Sequence, residues 1–87
     1  MKDRDVVIGH RLGLHARAAA KLVQLSTKFQ SNIILTRPDV NTLLQADARS
    51  ILSLLLLSAG FGSTVNVRAD GEDEDQAIES ICEYLAG

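Results

Sequence analysis

The stretch STVNVRADGEDEDQAIESICEYLAG, residues 63–87, carries two different hydrophobic periods in succession. Apolar and polar residues alternate over 63–69, which predicts a strand with one side facing solvent. Helical spacing follows an acidic first turn, which suits a helix N-terminus. The apolar positions of the strand are Val65, Val67 and Ala69, and those of the helix are Ala77, Ile78, Ile81, Cys82 and Leu85.

The segments before this stretch give three more strands and two more helices. DVVIG, residues 5–9, predicts a short buried strand, and NIILT and TLLQAD, residues 32–36 and 42–47, predict a hairpin punctuated by Pro38. SILSLLLLSAG, residues 50–60, predicts a short helix lying on a sheet. A helix of about 12 residues or more is expected from Ala16. Its apolar positions are Ala16, Ala19, Ala20, Val23 and Phe29, with Leu22 beside them.

The resulting order β-α-β-β-α-β-α indicates an α+β fold. Four short strands with hairpin-compatible connections favour a four-stranded, mainly antiparallel sheet with the three helices on one face. The length of 87 residues fits one domain over 1–87.

The composition excludes several function classes. Aromatic residues make up 3% of the chain and tryptophan is absent, which argues against nucleic-acid binding by base stacking. Cys82 is the only cysteine, so no internal disulfide is expected. The N-terminus lacks a signal-peptide core, and residues 50–60 are too short to span a bilayer. We therefore expect a cytoplasmic protein with no membrane insertion.

Charge is distributed unevenly along the chain. Residues 1–37 contain seven Lys/Arg and two Asp, a net +5, whereas residues 38–87 contain two Arg and nine Asp/Glu, a net −7. The basic part includes His15. This asymmetry favours an anionic substrate or an acidic partner near that histidine, although solubilising charge alone would also explain it.

The motif GLHAR, residues 13–17, places a histidine and an arginine at the start of the predicted helix. Together with ARSIL, residues 48–52, and ADGEDE, residues 69–74, it makes the chain resemble the HPr family. Members of this family are histidine-containing phosphocarriers of the bacterial phosphoenolpyruvate:sugar phosphotransferase system. The resemblance covers about residues 6–86 and implies an open-faced β-sandwich.

By this resemblance, His15 accepts a phosphoryl group on Nδ1 from phosphorylated enzyme I and passes it to IIA domains of sugar permeases. The chain would then be a phosphohistidine carrier rather than an independent turnover enzyme. A helix N-terminus is an anion site, so the backbone amides of Ala16 and Arg17 are expected to face the phosphate. Arg17 adds a fixed charge suited to phosphate oxygens. The same positive field disfavours imidazolium and leaves His15 neutral for attack.

The resemblance also assigns a regulatory phosphorylation site to Ser50, acted on by a serine kinase or phosphorylase. A plain helix N-cap explains Ser50 equally well. Partner docking is implied for Ile51, Leu52 and Leu55, for which a role in the core is the alternative.

His10 receives no role from the resemblance. A metal pair of His10 and His15 is conceivable, but two ligands make a poor site, so we expect no metal and no cofactor. We expect a monomer.

The sequence departs from the family pattern in two places. Ala18 stands where the family usually has proline. Alanine at this position gives the unfolded chain more conformational freedom but leaves the helix intact. The hairpin TRPDVNTLLQ, residues 36–45, is about three residues longer than the usual turn. Both departures leave open a regulatory relative that acts mainly by protein binding in carbon or nitrogen control. A small-ligand module unrelated to phosphotransfer is the third possibility.

Overall fold

The computed structural model describes the backbone of residues 1–87 and the side chains of residues 1–40 and 44–87. Its elements follow the predicted order. They are β1 (Lys2–Val7), α1 (Ala16–Ser26), β2 (Asn32–Arg37), β3 (Asn41–Asp47), α2 (Ile51–Leu56), β4 (Thr64–Asp70) and α3 (Glu74–Ala86).

The four strands form one antiparallel sheet in the order β1-β4-β2-β3, with the helices on one face. Strand β4 lies centrally, and its alternation was predicted correctly: Val65, Val67 and Ala69 are buried. Neighbouring inner positions of β2, Ile33 and Leu35, pair with Ala69 and Val67 and are also buried. This inner face carries the core, while the other face of the sheet meets solvent.

Helix α3 covers β1 and β4, and its buried stripe is the predicted one. Its N-terminus is fixed by Asp73, whose carboxylate accepts hydrogen bonds from the Gln30 and Ser31 amides and from the Ser31 hydroxyl. None of the three helices, within the described residues, is long and apolar enough to cross a membrane.

The prediction for the first strand was wrong in extent and burial. β1 begins at Lys2 and ends at Val7, so it is offset from residues 5–9, and only Val6 is half-buried in it. The reason is its place at the edge of the sheet, where it pairs with β4 alone. Positions facing the helices at Lys2 and Arg4 lie at the margin of the core, where long cationic side chains keep their charged ends in water.

The prediction of the buried face of α1 was also wrong, because the helix is rotated about its axis relative to the expected orientation. The residues buried in this 11-residue helix are Ala18, Ala19, Leu22 and Ser26. Ala16 is exposed, and Ala20 and Val23 are half-buried. Alanines on adjacent faces give a weak periodic signal, so contacts with α2 and α3 decide which face turns inward.

The connection between β2 and β3 spans residues 38–40, with Pro38 outside both strands as expected. The Val40 amide donates to the Arg37 carbonyl at 3.2 Å. Arg37 also donates to the carbonyls of Leu57 and Ser58 after α2, at 3.1 and 2.9 Å, and so ties the hairpin to that helix. The side chains of residues 41–43, part of the segment predicted to lengthen the hairpin, lie outside the described residues.

Candidate functional site

The loop that leads from β1 into α1 is fixed to the rest of the fold at Gly13 and Leu14. The Leu14 amide donates to the Ala59 carbonyl at 2.8 Å, and the Leu14 side chain is buried. Gly13 has φ +70, and a Cβ there would stand 2.6 Å from the Ala59 oxygen. Both the backbone conformation and the close approach therefore require glycine immediately before the histidine segment.

His15 is the N-cap of α1, with an extended backbone (φ −79, ψ −179). Its carbonyl accepts the Ala19 amide at 2.8 Å, the first hydrogen bond of the helix. Its side chain turns back over the helix end, where Nδ1 accepts the Arg17 amide at 3.2 Å. The imidazole thus takes the capping position that Ser, Thr or Asp normally occupies.

This geometry fixes which ring nitrogen faces the helix. Because Nδ1 accepts a hydrogen bond, it carries a lone pair, and the proton of the neutral ring lies on Nε2. The nucleophilic atom therefore lies at the N-terminus of α1, which bears about half a positive elementary charge. An anion formed on Nδ1 would lie against unpaired backbone N–H groups.

The expected partners of that anion lie beside it. Ala16 and Arg17 are the first two residues of α1, and both are exposed. No carboxylate pairs with Arg17 among the side chains of residues 1–40 and 44–87. The guanidinium is therefore available to a ligand at the helix end.

An open cavity of about 600 Å³ adjoins His15 and is lined by His10, Arg11, Leu12 and His15. Its lining includes the cation Arg11, which sequence reasoning did not single out. A second open cavity of about 500 Å³ is also lined by His10, together with residues of the last turns of α3. His10, which received no role from the sequence, thus lines both the cavity beside His15 and the cavity beside the end of α3.

Ser50 is the N-cap of α2, with an extended backbone (φ −117, ψ 107). Its hydroxyl oxygen accepts the Ser53 amide at 3.2 Å, and its side chain is half-buried. Of the two interpretations, the helix cap therefore has a geometric basis in the structure. The residue keeps part of its surface in contact with solvent.

Helix α2 exposes an apolar surface, as expected for a helix that is apolar all round. Leu54 is fully buried and anchors the helix between α1 and β3. The exposed fractions are 43% for Ile51, 68% for Leu52, 37% for Leu55 and 69% for Leu56. We call the four residues Ile51, Leu52, Leu55 and Leu56 the α2 patch. Leu56 was missed by sequence reasoning, because an all-apolar run does not indicate which side faces inward.

Tyr84 and Ala59 are two further residues that sequence reasoning missed. Each touches the loop or first turn around His15 from a distant part of the chain: Ala59 binds the Leu14 amide, and Tyr84 binds His10 and Ala18. Neither lies in a motif, and a single sequence carries no signal for such contacts.

The chain has close similarity to known proteins along nearly its whole length. The family model described as "PTS HPr component phosphorylation site" matches residues 2–87. The chain is 43% identical over 86 residues to Phosphocarrier protein HPr of Cupriavidus necator, covering 99% of this chain and 92% of that protein. It is 40% identical over 80 residues to Phosphocarrier protein NPr of Shewanella violacea, covering 92% and 84%. The crystal structure of HPr-C-His from Thermoanaerobacter tengcongensis superposes with a TM-score of 0.86 at 33% identity, covering 98% and 91%.

Proposed function

This chain belongs to the HPr family of phosphocarriers of the phosphotransferase system, and from that premise we propose that His15 is its phosphoryl acceptor. The donor is phosphorylated enzyme I, and the recipients are IIA domains of sugar permeases. The whole of residues 1–87 acts as one carrier domain, as a monomer in the cytoplasm. The observation that carries the proposal is the Nδ1 lone pair of His15 held at the N-terminus of α1, 3.2 Å from the Arg17 amide.

The transfer is a displacement at phosphorus. The Nδ1 lone pair forms a bond to the phosphorus of the donor phosphohistidine, whose own P–N bond breaks and returns its electron pair to the donor ring. The proton on Nε2 of His15 does not need to move. Transfer to a IIA domain reverses these roles, and His15 becomes the leaving group.

The surrounding groups stabilise the phosphoryl group electrostatically. The Arg17 amide, which meets the Nδ1 lone pair before transfer, is free afterwards to donate to a phosphate oxygen, as is the Ala16 amide. The Arg17 guanidinium supplies further donors with a fixed charge. Because these donors are set in place by the helix start, little reorganisation is required when the anion arrives.

The α2 patch supports a docking role for Ile51, Leu52 and Leu55. It is an exposed group of neighbouring leucine and isoleucine side chains on a helix that is held in place by the buried Leu54. Exposed apolar surface of this kind is typical of protein interaction sites. Ser50 caps the same helix, so a phosphate placed on it by a serine kinase would stand at the rim of the docking surface.

A second candidate function is a regulator in carbon or nitrogen control that acts mainly by protein binding. It is favoured by the 40% identity to a relative named NPr. A regulator that acts by binding alone would rely on the α2 patch and would not require His15. The two functions are therefore separated by whether His15→Ala abolishes the cellular role.

The direct test is to incubate the chain with enzyme I and ³²P-labelled phosphoenolpyruvate, and then to treat the product with acid. Phosphohistidine is acid-labile, whereas phosphoserine is stable. We expect acid-labile label on the wild type and on Ser50→Ala, and none on His15→Ala.

The chain contains one other histidine, which provides the matched control. His10→Gln should be labelled at the end point, because it leaves His15 and α1 in place. Full labelling of His15→Ala, or loss of label only in His10→Gln, would show that the acceptor has been misassigned.

A further inference from the structure

We propose that His10 is a positioning residue for the acceptor histidine: its ring caps the C-terminus of α3 and so holds the loop that carries His15. This inference rests on the proposed function and names a further residue required by that site. It is carried by contacts between consecutive residues of the loop and consecutive residues of α3.

Two hydrogen bonds join the loop to the helix end. The Gly9 amide donates to the Leu85 carbonyl at 2.9 Å, and His10 Nε2 lies 2.7 Å from the Tyr84 carbonyl. A carbonyl oxygen only accepts, so Nε2 of His10 carries the proton. The last four carbonyls of a helix have no intrahelical donor, and α3 ends at Ala86. The loop thus provides donors to two of these carbonyls. The Gly9 amide binds Leu85, and His10 adds a second donor to the Tyr84 carbonyl, which also accepts the Gly87 amide at 3.2 Å.

The two rings also pack against each other. The ring centroids of His10 and Tyr84 are 4.9 Å apart, with their planes tilted by 46°. The Tyr84 hydroxyl reaches the Ala18 carbonyl in the first turn of α1 at 3.4 Å, a long and weak contact. Burial raises the pKa of Tyr84, so its hydroxyl stays protonated as a donor. Tyr84 therefore touches the chain on both sides of His15.

Close approach of the backbones makes this junction rigid. A Cβ on Gly9 would stand 1.8 Å from the Ala86 oxygen, so only glycine allows the loop to lie this close to the helix end. Beyond His10, the Gly13 amide donates to the His10 carbonyl at 2.9 Å. Residues 9–13 are thereby fixed at their start by α3 and closed into a turn.

Loss of the His10 contact leaves this turn without its side-chain attachment, while Leu14 remains held by Ala59. The imidazole of His15 is fixed to the helix end by a single hydrogen bond of 3.2 Å, which a small shift of the loop would lengthen. A displacement of about 1 Å at a reacting group can cost on the order of a hundredfold in rate. Positioning by His10 thus bears directly on attack by Nδ1.

The test compares variants of His10 in the full chain. His10→Gln keeps a nitrogen donor near the Nε2 position, His10→Phe keeps the ring but removes the donor, and His10→Ala removes both. Asp73→Asn is the matched control, because it loosens the opposite end of α3, where Asp73 binds Ser31. Two quantities are measured: the initial rate of phosphorylation by enzyme I, and the ¹H–¹⁵N shift of the Arg17 amide, which reports its hydrogen bond to His15.

We expect His10→Ala to slow phosphorylation roughly tenfold and to move the Arg17 amide towards its shift in His15→Ala. His10→Gln should restore the rate to within about twofold of wild type, and His10→Phe should fall between Gln and Ala. Asp73→Asn should keep the wild-type rate and Arg17 shift even though its melting temperature falls. A wild-type rate and shift in His10→Ala, or equal losses in His10→Gln and His10→Ala, would overturn the proposal.

The two measurements also separate this inference from the proposed function. If the wild-type chain takes no phosphoryl group from enzyme I, the acceptor assignment fails. The Arg17 shift in His10→Ala and His10→Gln then still decides whether His10 positions His15. If instead the wild type is phosphorylated and only the shift and rate pattern fails, the acceptor assignment stands and the positioning role does not.

Discussion

Replacement of Ser50 by alanine or aspartate tests the cap of α2 and the docking surface in one pair of variants. The Ser50 hydroxyl oxygen accepts the Ser53 amide at 3.2 Å. Alanine removes this acceptor and leaves the amide unpaired at the helix start. Aspartate keeps an acceptor at the N-cap and adds a negative charge, as a phosphate would, although with less charge.

The expected change in stability follows from these contacts. Loss of a serine N-cap costs about 1 kcal/mol, which in a domain of this size lowers the melting temperature by about 4–8 °C. Aspartate restores the cap and gains about 0.3–1 kcal/mol from the helix dipole at low ionic strength. The nearby carboxylate of Asp47, which accepts the Arg49 amide at 2.9 Å, reduces this gain by repulsion. The melting temperature of Ser50→Asp should therefore equal or slightly exceed that of wild type, with Ser50→Ala lowest.

The expected order of the two variants is reversed for the rate of phosphorylation, with Ser50→Asp slower than Ser50→Ala. The charge of Ser50→Asp stands next to Ile51 and Leu52, and a partner that covers these side chains must remove water from the carboxylate. Ser50→Asp should slow phosphorylation of His15 by enzyme I, whereas Ser50→Ala should keep the wild-type rate below its melting transition. The assay is thermal unfolding by circular dichroism beside initial-rate labelling with ³²P-phosphoenolpyruvate.

The prediction about stability and the prediction about phosphorylation rate can fail independently. A melting temperature of Ser50→Asp as low as that of Ser50→Ala would refute the capping argument. Equal phosphorylation rates of the two variants would refute the docking role of the α2 patch and leave Ser50 as a structural cap.

Three further predictions concern the acceptor site, acid stability and the end of α3. Arg17→Ala should slow transfer to and from enzyme I by roughly ten- to a hundredfold. Its melting temperature should be nearly unchanged because the side chain is exposed. Wild-type rates in stopped-flow transfer would show that the backbone amides suffice to stabilise the phosphoryl group. Hydrogen bonding, chiefly from the Ser31 hydroxyl, holds the pKa of Asp73 below its ordinary 3.8. The ionised Asp73 carboxylate therefore stabilises the fold above pH 3.8, and this stabilisation is lost as the pH falls through the lower pKa of the folded state. Asp73→Asn should therefore flatten the fall of the melting temperature below about pH 4, and an unchanged pH profile would contradict this. Gly9→Ala should cost about 1–3 kcal/mol in urea unfolding because its Cβ would meet the Ala86 oxygen, and an unchanged midpoint would show that the helix end yields freely.

Much of the fold could be predicted because strand and helix periods are local properties of the sequence. The alternation around Val65 and Val67 and the stripe of α3 were both confirmed. The prediction failed where a period does not distinguish between faces or positions. The alanine-rich α1 turned a different face inward, and β1 became an exposed edge strand although DVVIG is rich in β-forming residues.

The candidate site also has a part that could be predicted from the sequence and a part that could not. His15 and Arg17 are two residues apart at the start of a helix, so their proximity follows from local geometry and could be predicted from GLHAR alone. The contact of Nδ1 with the Arg17 amide is a capping interaction of the same local kind. The acceptor role itself remains a prediction that labelling must test.

The sequence by itself determined the order of elements, the α+β class and the placement of a histidine at a helix N-terminus. Only the tertiary structure brought His10 to Tyr84, 74 residues away, and Leu14 to Ala59. These contacts depend on the strand order and on where α3 ends relative to the β1–α1 loop. Hydrophobic periodicity encodes which side of an element is buried, but it contains no information about which distant backbone carbonyl a side chain will meet.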